Sequence, residues 1–192
     1  MSQPRTVAAL YVDPRGPYPK MPGVDCWDEA RDARLYDGPH PVVAHPPCGP
    51  WGRLRSMCTK QDHYCGIVAF GQVRRLGGVL EHPQGSTLWD YVGAPEPCEP
   101  ADSSGGRTYL VRQVDWGHTC AKSTWIYAVG ISHELIDSEI RSRANSGTPT
   151  HVISTSRRRT NPLPELTVKW QRAITPPLFA EWLVSLARSV QR

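Results

Sequence analysis

The sequence lacks the long apolar run that a membrane-spanning helix needs, and its first residues lack the apolar core of a signal peptide. We therefore expect a cytoplasmic protein with no membrane partner, whose six cysteines are reduced. The chain also lacks the two closely spaced cysteine pairs that are typical of structural zinc sites. Scattered thiols are the favoured interpretation, and a metal site built from Cys48, Cys58 and Cys65 is the alternative.

Composition indicates one loop-rich domain. A chain of 192 residues is long enough for one domain with a substantial core and too short for two large ones. Its 19 prolines and 16 glycines favour an α/β domain over a helical bundle. The net charge of +4 is compatible with a nucleic acid partner without being diagnostic of one. We expect one domain over residues 1–192, with residues 142–164 as a loop or extension, and the sequence does not indicate the oligomeric state.

Hydrophobic patterning predicts alternating strands and helices. Apolar or alternating runs predict strands over 7–12, 41–44, 79–80, 109–114 and 123–129, and a proline-rich loop follows the first of them. Helical spacing predicts helices over 67–76 and 177–190, the second burying Leu178, Trp182, Leu183 and Leu186. One or two helical turns are expected within 28–36, and a further turn within 86–91. This order predicts a central, mostly parallel sheet of Rossmann-like architecture.

The motif His45-Pro46-Pro47-Cys48 follows the short apolar strand 41–44. Proline removes backbone donors and biases the residue before it towards extended geometry, so the strand must stop here. Open α/β sheets place ligands and catalytic groups at the carboxyl ends of their strands. Cys48 is therefore a candidate nucleophile, and the alternative is a small buried side chain at the end of a strand.

Two further groups are expected at the same edge of the sheet. Glu81 follows Val79-Leu80 and precedes His82-Pro83, and Lys122 lies in the turn between the last two predicted strands. A thiol, a carboxyl group and an ammonium group suit covalent catalysis on a pyrimidine. The thiolate attacks ring carbon C6, a carboxylic acid supplies a proton at N3, and a cation polarises the ring and favours the thiolate.

These motifs resemble those of the DNA cytosine-5 methyltransferases. His45-Pro46-Pro47-Cys48 is similar to their Pro-Cys nucleophile motif, and Glu81 with His82 is similar to their Glu-Asn-Val motif. The segment 115–127 resembles the one that places an arginine on the base, with Lys122 at that position, and 175–180 resembles the carboxyl-terminal motif. The resemblance implies a trimmed methyltransferase fold, catalytic roles for Cys48, Glu81 and Lys122, and DNA or a pyrimidine nucleotide as partner.

The amino-terminal half departs from that family. No glycine-rich turn follows the first strand, where the family binds S-adenosylmethionine, and only 35 residues separate Asp13 from Cys48. S-adenosylmethionine is therefore expected to bind weakly or not at all. Asp13 and Arg15 are the candidate cofactor-binding residues, with Arg15 able to hold an anion. A non-catalytic module that binds nucleic acid or a modified base is the alternative function.

The remaining candidates are substrate-binding residues. His45, Pro47 and His82 flank the two motifs of the candidate nucleophile and acid. Trp51 and Trp116 are the tryptophans expected to stack on bases, as aromatic side chains do in single-strand binding proteins. His118 follows a Trp-Gly turn and is a candidate acid or base near the site, with a purely structural role as the alternative.

Overall fold

A six-stranded mixed sheet with helices on both faces forms the fold of this single-domain α/β protein. The computed structural model describes residues 4–59, 62–153, 163–166, 171 and 173–191. The strands are β1 (Val7–Leu10), β2 (Val24–Trp27), β3 (Val42–Ala44), β4 (Gly78–Pro83), β5 (Arg107–Arg112) and β6 (Ser123–Val129). The helices of the described residues are α1 (Tyr64–Leu76), α2 (Leu88–Val92), α3 (His133–Arg143) and α4 (Pro177–Arg188).

The strand order is β2-β1-β3-β4-β6-β5. The first four of these strands are mutually parallel, whereas β6 runs antiparallel to both β4 and β5. The chain leaves β1 to one side for β2 and returns on the other side for β3, so a topological switch point lies between β1 and β3. Open α/β sheets bind ligands outside the carboxyl ends of the strands at such a point.

Both faces of the central strands are buried, which explains their continuous apolar sequences. In β1, Val7 and Ala9 pack in one cluster with Phe179 and Leu183 of α4. Ala8 and Leu10 face the opposite cluster, which includes Phe70 of α1. Among the described residues, no helix is long and apolar enough to cross a bilayer.

A glycine allows β3 and β4 to lie side by side. Gly78 begins β4 with φ near +117°, and a Cβ there would come within 1.9 Å of the Val42 carbonyl oxygen. No side chain fits that space. The close pairing of Val42 with Gly78 continues to Ala44 and Leu80, so the carboxyl ends of the two strands lie next to each other.

Most of the expected elements are confirmed, with strand bounds shifted by up to a few residues. The strand β2 and the helix α3 were not expected from the sequence. β2 is an edge strand whose residues are only half buried, and α3 is polar with Ile136 as its one fully buried side chain, so neither has a strong apolar period. Residues 142–143 therefore belong to a helix rather than to the expected extension, and 154–162 lie outside the described residues. In α4 the expectation for Leu178 was wrong, because it is half exposed and Phe179 is buried instead.

Candidate active site

The carboxylate of Glu81 is the centre of a hydrogen-bonded cluster at the carboxyl ends of β3 and β4. Glu81 is buried within β4, opposite Ile126 of β6. His45, directly after β3, contacts its Oε2 through Nδ1 at 3.0 Å. Gln113, directly after β5, donates from Nε2 to Oε1 at 2.9 Å. The hydroxyl of Thr124 on β6 lies between Glu81 Oε1 and the His82 carbonyl oxygen, which is 2.7 Å away.

A buried tyrosine fixes the orientation of the His45 ring. Tyr18 belongs to a short 3-10 helix (Tyr18–Lys20) in the proline-rich loop after β1 and is almost fully buried. Its hydroxyl lies 2.6 Å from His45 Nε2. Burial raises the pKa of Tyr18 well above its ordinary value, so the phenol keeps its proton. It can therefore donate to Nε2, which leaves the proton of the neutral ring on Nδ1, facing Glu81.

Lys122 acts electrostatically on both the carboxyl and the thiol. Burial by itself raises the pKa of Glu81, but the charge of Lys122 and the bonds from His45 and Thr124 outweigh it, and the pKa lies well below its ordinary value. For Cys48, desolvation is the largest effect and raises the thiol pKa. Lys122 lowers that pKa and Glu81 raises it, so the charges of both residues act on the Cys48 thiol.

Backbone contacts connect the segments that follow Cys48 and Glu81. The Trp51 carbonyl oxygen accepts hydrogen bonds from the backbone N–H of Thr87 at 3.0 Å and from its hydroxyl at 3.2 Å. The Trp51 ring packs against His63 at 4.8 Å and Tyr91 at 5.3 Å between ring centroids. Trp51 thus joins the loop after β3 to the start of α2.

The two tryptophans expected to stack on bases are buried. Trp51 is 5% exposed and Trp116 is 1% exposed. Trp116 stacks on Trp182 of α4 with ring centroids 4.5 Å apart. The interpretation of both as base platforms is corrected, since each ring face is occupied by protein. Tyr91, whose ring contacts Trp51, is 66% exposed.

The two histidines differ in what they can do. His118 accepts a bond from the Cys120 backbone N–H at Nδ1, at 2.9 Å, so the proton of its neutral ring is on Nε2. That nitrogen is buried without a partner among the described residues, and the charges of Lys122 and Glu81 act on the ring. His82 is completely buried against Trp89, so its expected contact with substrate is corrected to a structural one. Desolvation lowers the pKa of His82 to about 4.

The other candidate residues lie on the surface. Pro47 is exposed beside exposed Cys48. Asp13 and Arg15 form an exposed ion pair of 2.8 Å, so the arginine charge that was expected to hold an anion is already balanced. Within the described residues, no group of three or more His, Cys, Asp or Glu side chains is placed to hold a metal ion.

Sequence reasoning missed Tyr18, Gln113 and Thr124. Gln113 directly follows β5 and Thr124 lies near the start of β6, and a polar residue at a strand end is a usable signal; both side chains are buried. Tyr18 lies in a proline-rich loop that gave no indication of a buried side chain. No model of a known protein family matches this chain, and no curated protein sequence is significantly similar to it.

Proposed function

We propose that this protein is an enzyme that modifies a pyrimidine base, in DNA or in a nucleotide, through a transient bond between Cys48 and ring carbon C6. The observation that carries the proposal is the pairing of β3 with β4, which brings the segment leading to Cys48 beside Glu81, with the charge of Lys122 acting on both side chains. These groups come from three separate segments, and a converging thiol, carboxyl and cation is what such an attack needs. The resemblance to cytosine-5 methyltransferases supports Cys48 as the nucleophile and Lys122 as the cation that contacts the base.

The chemistry follows from the arrangement of a pyrimidine ring, in which C6 and N3 are opposite each other. A base whose C6 faces Cys48 presents N3 to Glu81 across the ring. The sulfur–C6 bond forms as the C5–C6 double bond opens, and C5 becomes nucleophilic. Lys122 stabilises the charge that develops on the ring and favours the thiolate of Cys48.

The residues after β1 do not fit S-adenosylmethionine, the donor that the resemblance implies. Tyr18 fills the switch point between β1 and β3, where its hydroxyl contacts His45. Asp25 on β2 is engaged by Trp27 Nε1 at 2.8 Å and by Arg31 at 2.7 Å, so it is not free to bind a ribose. No step of the proposed chemistry is therefore routed through this donor.

Covalent capture tests the proposal. Oligonucleotides and nucleotides containing 5-fluorocytosine or 5-fluorouracil are incubated with the protein, with and without S-adenosylmethionine, and the intact mass is measured. The expected adduct joins sulfur to C6, with a proton from water added at C5. Cys48→Ser should abolish it, and Cys98→Ser, at another exposed cysteine, should not. Absence of an adduct with both bases would contradict the proposal.

One observation favours a second candidate, a module that binds a base without modifying it. Burial raises the pKa of Cys48, so the thiol is protonated at neutral pH before any ligand binds. A binding module should retain its affinity for single-stranded or damaged DNA in Cys48→Ala and lose it as salt rises. Loss of adduct formation in Cys48→Ala with unchanged binding supports the enzyme instead.

A further inference from the structure

The hydrogen-bond donors around Glu81 determine which base it can face. His45 donates to one carboxylate oxygen and Gln113 to the other, and Lys122 adds a positive charge nearby. These partners support the ionised form, because a carboxylate only accepts hydrogen bonds. Tyr18 maintains the arrangement by directing the Nδ1 proton of His45 towards Glu81. Among the described residues, Oε2 of Glu81 accepts from His45 alone, so it keeps a lone pair that can accept from a bound base.

Two further donors lie within electrostatic range of that carboxylate. His118 has a buried Nε2–H without a partner among the described residues, and the charges of Glu81 and Lys122 both act on its ring. The Lys122 ammonium is a second donor that influences Glu81 and Cys48. The site thus offers an acceptor together with two donors, which can meet a base edge that carries one N–H and two oxygens.

Uracil and cytosine present different edges to such a site. Uracil has a hydrogen on N3 between two carbonyl oxygens, O2 and O4. Cytosine has an unprotonated N3 between O2 and an amino group that donates from C4. An ionised carboxylate opposite the N3 lone pair of cytosine places two acceptors against each other.

We propose that the base bound beside Cys48 is of the uracil type, with a hydrogen on N3 and an oxygen on C4; this rests on the covalent attack proposed above. Cys48 loses its thiol proton to solvent, the sulfur–C6 bond forms, the electron pair of the C5–C6 double bond moves towards C4, and negative charge develops on O4. Lys122 or His118 meets that oxygen, while Glu81 accepts from N3–H and transfers no proton. Cytosine would instead require Glu81 to gain a proton against the two donors and the cation that support its ionised form.

Exchange of the C5 hydrogen with D₂O tests this base preference without any added donor. Reversible addition of Cys48 at C6 lets C5 gain a deuteron from solvent and lose its original proton, and mass spectrometry counts the change. Matched oligonucleotides and nucleotides containing uracil or cytosine serve as probes. We expect exchange in uracil about tenfold faster or more, the discrimination that one mismatched base contact gives. Equal rates, or faster exchange in cytosine, would overturn the inference and leave covalent attack standing. Absence of exchange in both bases would contradict the covalent attack itself.

A substitution at Glu81 provides the second measurement. Glu81→Gln introduces an amide that can donate to N3 of cytosine, so the ratio of uracil to cytosine exchange should fall about tenfold or more. Asp90→Asn makes the same chemical change at an exposed position and should leave the ratio unaltered. Circular dichroism establishes that the variants are folded, and an unchanged ratio in folded Glu81→Gln would count against the inference.

Discussion

At the scale of single residues, the charges of Lys122 and Glu81 act in opposite directions on the Cys48 thiol. Desolvation raises the pKa of Cys48, Lys122 lowers it, and Glu81 raises it. Because the pKa is raised, the thiol form predominates at neutral pH and the thiolate grows as the pH rises. The rate at which Cys48 reacts with an alkylating reagent therefore reports how desolvation and the two neighbouring charges set its pKa.

We predict that alkylation of Cys48 by iodoacetamide accelerates with pH and is still rising above pH 9, the ordinary value for the thiol. Lys122→Met should slow the reaction at pH 8 severalfold, because it removes the charge that favours the thiolate. Glu81→Gln should accelerate it, because it removes the opposing charge. Peptide mass spectrometry measures Cys48, with exposed Cys98 as the internal control. Changes in the same direction for both variants would contradict this electrostatic description.

At the scale of secondary-structure elements, β4 contains a buried titratable side chain, His82. His82 follows Glu81 and has no exposed surface, and desolvation lowers its pKa from 6.5 to about 4. As the pH falls, His82 therefore binds a proton at a higher pH in the unfolded chain than in the folded chain. The free energy of unfolding therefore has its full value, as far as His82 is concerned, above pH 6.5. It decreases as the pH falls towards 4.

We predict that acidification from pH 7 to pH 4 removes roughly 3 kcal/mol of unfolding free energy through His82 alone, at about 1.36 kcal/mol for each unit of pKa shift. His82→Asn should lower stability at pH 7 by leaving a cavity, and should show a shallower loss below pH 6.5. Urea unfolding at several pH values measures both. Parallel pH curves for the two proteins would show that His82 is not responsible.

Pairing between β3 and β4 depends on Gly78. A Cβ at this position would overlap the Val42 backbone at a φ that side chains rarely adopt. We predict that Gly78→Ala prevents cooperative folding or lowers the melting temperature sharply. Gly71→Ala in α1, where no atom lies within 4 Å of the added Cβ, should instead stabilise by up to about 1 kcal/mol. Thermal unfolding followed by circular dichroism compares the melting temperatures of the two variants. Similar changes in both would contradict the special role of Gly78.

The order of strands brings the candidate site together at the scale of the whole molecule. The α/β class was predictable, and so were the strand that ends before His45 and the strand that contains Glu81. Buried central strands have continuous apolar sequences, and prolines mark their ends. Burial of Trp51 and Trp116 was not predictable, since an aromatic residue near a site has the same local sequence whether it stacks on a base or on Trp182. The contact of Tyr18 with His45 was equally hidden, because these two residues meet only through long-range packing.

The residues that follow β1 lead to a prediction about the whole protein. S-adenosylmethionine at millimolar concentration should produce no thermal stabilisation, because Tyr18 and the engaged Asp25 leave no place for it. A ligand at a hundred times its Kd would stabilise by about 2.7 kcal/mol, which is readily measured. Micromolar binding by calorimetry would contradict the prediction and restore a methyl-transfer reaction.

The contact of Trp51 with Thr87 divides the loop after Cys48 into an anchored base and an exposed tip. The base of the loop after Cys48 is held by two hydrogen bonds to the start of α2, whereas Leu54 and Met57 further along it are 50% and 76% exposed. Substitutions at the exposed tip are therefore tolerated more readily than substitutions at the base, because they disturb neither these hydrogen bonds nor the segment that carries the thiol.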